Sequence, residues 1–116
     1  MKKIKQESRQ TADSVNLYSA MKFQRGGIYS KVLFKSKKAD LTMMCIAKKE
    51  GLDTHTSTKQ GVVQVLKGKG EFLLYNKKIC LKPGVLIFMP KNAPHSLKSD
   101  SDLAILLTLF AEKLSE

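Results

Sequence analysis

The chain has 116 residues, 42% of them hydrophobic, with five Phe, three Tyr and no Trp. That suffices for one domain with its own core, filled mainly by aliphatic side chains and Met, and it excludes a chain disordered as a whole. Lys and Arg outnumber Asp and Glu by 21 to 10, a net charge of +11, and no apolar run approaches the ~20 residues of a membrane-spanning helix.

Residues 1–14 are polar and aperiodic and read as an arm, free or packed on a partner subunit. Residues 15–23 have room for one helical turn. After Gly26-Gly27 the pattern turns to β and stays β. The expected strands are Ile28–Lys35, Leu41–Ala47, Thr54–Ser57, Val62–Leu66, Glu71–Tyr75, Lys78–Leu81, Val85–Met89, His95–Leu97 and Leu103–Phe110. Turn chemistry separates them. Lys67-Gly-Lys-Gly70 offers glycines for positive φ, and Asn76-Lys-Lys offers Asn for the left-handed region. Lys82-Pro83-Gly84 places Pro and Gly where a type II turn wants them. Nine short strands at this spacing point to an all-β barrel or sandwich. The domain is expected over 28–110, between an arm at 1–27 and a tail at 111–116.

The last strand, Leu103–Phe110, is apolar at both parities apart from Thr108. A strand with one wet face alternates, so this one is expected to be covered on both faces. A second subunit would do so, which favours a homodimer; the N-terminal arm could instead cover Leu109 and Phe110.

The cations follow the turns: Lys37-Lys38, Lys48-Lys49, Lys67 with Lys69, Lys77-Lys78 and Lys91. All but Arg9 and Arg25 are Lys, whereas base edges and phosphates are read bidentately by Arg. Lys at turns and strand edges keeps a β-protein soluble. This favours a solvated lysine surface over nucleic-acid binding, with polyanion binding as the weaker alternative. The basic start, Met1 to Arg9, leads into polar residues, so neither a secretory leader nor a membrane association is expected. Cys45 and Cys80 are isolated, which fits a reducing cytoplasm and a small-hydrophobe role for both.

The chain has two histidines. His95 ends a spaced series: Gly84, five residues, Pro90, Lys91, Asn92, Ala93-Pro94, His95. His55 opens another: His55-Thr-Ser57, then Gln60-Gly61, then Gly68 closing a hairpin. The first series resembles the second motif of the cupin family, with Asn92 where Gly is usual. The other resembles the first cupin motif, with Ser57 in place of its second His and Gly61 in place of its Glu. Over residues 28–110 the chain resembles a small single-domain cupin of the cupin 2, conserved barrel domain type.

The resemblance implies an RmlC-like jelly roll, or double-stranded β-helix, with a small-molecule site at one mouth and, commonly, dimers. In complete members three His and one Glu hold a divalent metal. Carried over residue by residue, His55 and His95 are the retained ligands for Zn, Mn, Fe or Ni. Ser57 offers a hydroxyl, Gln60 an amide oxygen if the loop bends, and Asp53 a carboxylate on the face of His55 by parity. Met43, Met44 and Met89 with Phe88 are further candidates for the lining, although Met more often fills cores.

Two function classes follow. In the first, neutral His55, Ser57, Gln60 and His95 hydrogen-bond a small molecule without a metal. In the second, a two-His metal site serves an isomerase, decarboxylase or dioxygenase. The missing half of the metal set favours the first.

Overall fold

The computed structural model describes residues 13–111. Most of the arm expected at 1–14, and the tail after residue 111, lie outside them. Among the described residues no helix is long and apolar enough to cross a membrane.

A single helical turn, α1 (Leu17–Ala20), is capped by Asn16, whose side chain accepts from the Ser19 amide at 3.1 Å. Nine strands follow: β1 (Ile28–Lys35), β2 (Ala39–Ile46), β3 (Gly51–His55), β4 (Gln60–Lys67), β5 (Gly70–Leu74), β6 (Lys77–Leu81), β7 (Leu86–Met89), β8 (His95–Ser99) and β9 (Leu103–Phe110). They form two antiparallel sheets, in the order β1-β2-β9-β4-β7 and β3-β8-β5-β6. This is the expected jelly-roll barrel.

The largest shift from the sequence expectation is in β3, which starts at Gly51 and stops at His55, so Ser57 falls in a loop. The type II turn forms as its residues require. Gly84 takes φ 96°, and the Val85 amide donates to the Lys82 carbonyl at 3.1 Å. At the β5–β6 hairpin the positive φ falls on Tyr75, at 55°, and not on Asn76. The register Leu74↔Lys77 leaves only Tyr75 and Asn76 to turn the chain, which moves the strained position one residue earlier.

β9 explains its own composition. It lies between β2 and β4 at the centre of the five-stranded sheet. Its inner side chains Leu103, Ile105 and Leu107 join Ile46, Val63, Phe72, Leu81 and Ile87 in the main core between the sheets. Ala104 and Leu106 face the other way. With Met43 and Cys45 they form a second cluster, covered by Leu17, Ala20, Met21 and Phe23. The N-terminal segment therefore covers the outer face at Ala104 and Leu106, whereas Phe110 stays exposed. Cys45 is buried and Cys80 exposed. The expected small-hydrophobe role fails at Cys80, which pairs with Glu71 across β5–β6 on the solvent face.

Candidate functional site

The fold makes the two histidines direct cross-strand partners. His55 closes β3, His95 opens β8, and a register shift between Leu52 and His55 brings them opposite one another. Their ring centroids are 4.2 Å apart at an interplanar angle of 61°. On its other side His95 lies parallel to Phe72, centroids 5.8 Å apart. His55 is exposed and His95 half-buried, so the pair sits where the core opens to solvent.

Each ring is held by a carbonyl two residues upstream. His55 Nδ1 lies 2.7 Å from the Asp53 oxygen, and His95 Nδ1 lies 2.9 Å from the Ala93 oxygen. A carbonyl can only accept, so Nδ1 carries the proton in both rings. Nε2 is then the lone-pair nitrogen of each neutral imidazole. Burial lowers the pKa of His95; the bond to Ala93 opposes this, and the charge of His55 adds to the lowering. The neutral, accepting form of His95 is therefore favoured.

The other expected site residues do not join the pair. Ser57 organises the β3–β4 loop: its hydroxyl accepts from the Lys59 amide at 3.1 Å, and its carbonyl accepts from the Asn92 amide at 2.7 Å. The parity argument that aimed 55 and 57 to one face fails because the strand has already ended. Gln60 opens β4 opposite Phe110 and lines a cleft of about 1030 Å³ with Val62, Phe88 and Phe110, which neither His lines. Asp53 is exposed and lines a shallow polar cleft with Lys49, Glu71 and Lys98; the same register shift breaks its parity with His55. Met44 and Met89 are inner residues, but Met43 belongs to the outer cluster and Phe88 points outward, 68% exposed.

The sequence missed one pair. Asp40 on β2 bridges to Lys59 in the β3–β4 loop at 3.3 Å. Its Oδ1 is buried and takes no hydrogen bond among the described residues. Asp40 pairs with Leu109, and Leu109 with Gly61, which places it on the inward parity of its sheet. That parity was the available signal, lost because β2 was expected to start two residues later, at Leu41.

A divalent metal is what this architecture leads one to test, and the donor set does not fit it. Among the described residues no three His, Cys, Asp or Glu converge to hold an ion. A Cβ at Gly61, where a carboxylate would attach, meets Leu109 Cδ2 at 2.8 Å and Met89 Cε at 3.3 Å. Apolar side chains already fill that space. Two imidazoles alone fall short of the usual three protein ligands.

No family model matches the chain. It is 47% identical over 47 residues to an uncharacterized protein of Aquifex aeolicus, a match spanning 40% of this chain and 39% of that protein. Among solved structures it is similar to a cupin superfamily protein from Desulfitobacterium hafniense, with TM-score 0.80 and 16% identity over 89% of this chain and 94% of the other. It is also similar to a Cupin 2 conserved barrel domain protein from Leptotrichia buccalis, with TM-score 0.78 and 31% identity. That match covers 84% of this chain but only 47% of the longer protein.

Proposed function

The chain has the cupin barrel fold, and from that premise we propose that it is a metal-free binding module. Its ligand is a small molecule that donates hydrogen bonds to Nε2 of His55 and His95. The observation that carries this reading is the pair of Nδ1–carbonyl bonds, which presents two imidazole acceptors 4.2 Å apart, centroid to centroid. Hydroxyl, amide or ammonium groups complement two acceptors; a carboxylate does not. Phe72, itself buried, lies parallel to His95 and backs that ring from the core.

The alternative, a metal-assisted enzyme, has one observation in its favour. Metal-ligating imidazoles are usually oriented by the same kind of carbonyl contact. One experiment separates the two. Protein purified without an affinity tag or chelator is examined by native mass spectrometry and elemental analysis, and its histidine side chains by ¹⁵N NMR. The binding module is expected to show substoichiometric metal, the Nδ1–H tautomer in both rings, and a co-purified small molecule that is lost in His95→Ala. Stoichiometric metal that disappears in both His55→Ala and His95→Ala would establish the enzyme reading instead.

A further inference from the structure

The cleft of about 1030 Å³ at the end of the five-stranded sheet takes no part in the histidine site. Lys38, Ala39, Gln60, Val62, Phe88 and Phe110 line it, and neither His does. Strand register explains its place. Ala39 pairs with Phe110, and Phe110 with Gln60, so these three share one row. Val62 pairs with Phe88 in the next row of the same parity. A Cβ at Gly61 would run into Leu109 and the core residue Met89, so its neighbours Gln60 and Val62 face outward. The β4–β7 ladder ends at Gly61↔Met89, since Pro90 follows and has no amide hydrogen to continue it. Gln60 is left without a ladder partner on the β7 side, and the sheet opens there.

Two features define the occupant. The first is the apolar lining. Phe88 is 68% and Phe110 36% exposed, and with Val62 they offer walls to a flat or branched apolar body. The second is charge. Lys38 is the one charged residue lining the cleft, and no acid lines it. The backbone beneath Lys38 is held from both sides. Its amide donates to Ser36 Oγ at 3.1 Å, and its carbonyl accepts from the Ala111 amide at 2.8 Å. Asp40, two residues on, does not neutralise it, because that carboxylate bridges to Lys59 at 3.3 Å. Among the described residues the Lys38 ammonium makes no ion pair. Apolar walls with one or two polar groups that fix orientation are the usual make-up of a small-molecule site. Here the polar groups are a cation and, at Gln60, an amide that can donate. A cationic ligand is repelled, and a neutral one gains nothing from Lys38.

We propose that this cleft is a second ligand site, for a small amphipathic anion: a carboxylate on an aromatic or branched apolar body. The carboxylate meets Lys38 and the Gln60 amide, and the body lies against Val62, Phe88 and Phe110. The site is separate from the histidine pair and does not rest on the reading given for it.

The probe is 4-phenylbutyrate, titrated into the ¹⁵N-labelled full chain and followed by amide shifts. Its amide and 4-phenylbutylamine keep the body and change the charge. The acid is expected to bind several-fold tighter than the amide, and the amine most weakly, with shifts centred on Lys38, Gln60 and Phe88. Lys38→Glu is expected to raise the dissociation constant of the acid about three- to tenfold. Lys77→Glu, on β6 in the other sheet, changes the net charge equally and leaves it nearly unchanged. Phe88→Ser is expected to weaken all three compounds, the acid by about three- to tenfold. Should Phe88→Ser lose the dispersed amide spectrum of a folded chain, the contrast between Lys38→Glu and Lys77→Glu decides. Equal affinity for the three compounds, equal loss in both lysine variants, shifts centred on His55 and His95, or no saturable binding of the acid would each overturn the proposal. Shifts of the cleft amides with protein concentration alone, without probe, would seat a second copy of the chain there and overturn it too.

Discussion

Burial holds the pKa of His95 below its ordinary 6.5, so the folded chain binds that proton more weakly than the unfolded chain. Stability linked to His95 is then fully present above pH 6.5. It falls as the pH drops from 6.5 toward the depressed folded value, where the unfolded state alone gains a proton. Urea unfolding at a series of pH values is expected to show this decline, and His95→Asn to flatten it. A decline unchanged by His95→Asn would place the response elsewhere. Gly61 offers a second check at this scale. An added Cβ meets Leu109 Cδ2 at 2.8 Å and the Thr108 carbonyl oxygen at 3.0 Å. Gly61→Ala is expected to cost about 1–3 kcal/mol by overpacking, and Leu109→Ala in the same chain to recover part of it. Additive losses in the double variant would show that Leu109 does not fill the space. The sequence marked both histidines by the spacing around them. It did not show that a register shift before His55 sends the Asp53 side chain to another cleft, or that β3 ends at His55 and leaves Ser57 in a loop.

Elements were more legible than the residues they carry. All nine strands were expected, β1 and β9 to the residue, because Gly, Pro and Asn turns punctuate runs of β-branched and aliphatic side chains. The error at Asn76 has a local cause: two-residue hairpins are set by strand register, which a single strand does not display. The cover over β9 was legible only as a requirement. Its double-sided apolar pattern called for something on the outer face, and the Leu17–Phe23 segment supplies part of it. The polar ties of that segment to the barrel include Tyr18 Oη to the Leu66 carbonyl at 3.3 Å, with Lys67 lying 4.9 Å over the Phe23 ring. Cys45 lies beneath it, fully buried. Phe23→Ala is expected to speed alkylation of Cys45 by an order of magnitude or so, through local opening, while exposed Cys80 reacts at its usual rate. Equal Cys45 rates in the two chains would mean that the barrel itself, not this segment, guards the thiol.

At the scale of the molecule, the resemblance located the barrel, and the placement of the candidate site residues followed from details that no motif carries. Ser57 caps a loop, Gly61 is packed over, and Asp40 meets Lys59 across the strand order. The central place of β9 has a further consequence. β2 and β4 never touch along their ladders; each pairs with β9, the last strand in sequence. During synthesis both must therefore wait, with open hydrogen-bonding edges, for a strand still inside the ribosome. The smaller sheet waits less, since β8 completes it before β9 is made. Spatial order and temporal order run opposite in this fold, and the newborn chain is most exposed to misassembly in the interval before Leu103–Phe110 emerges.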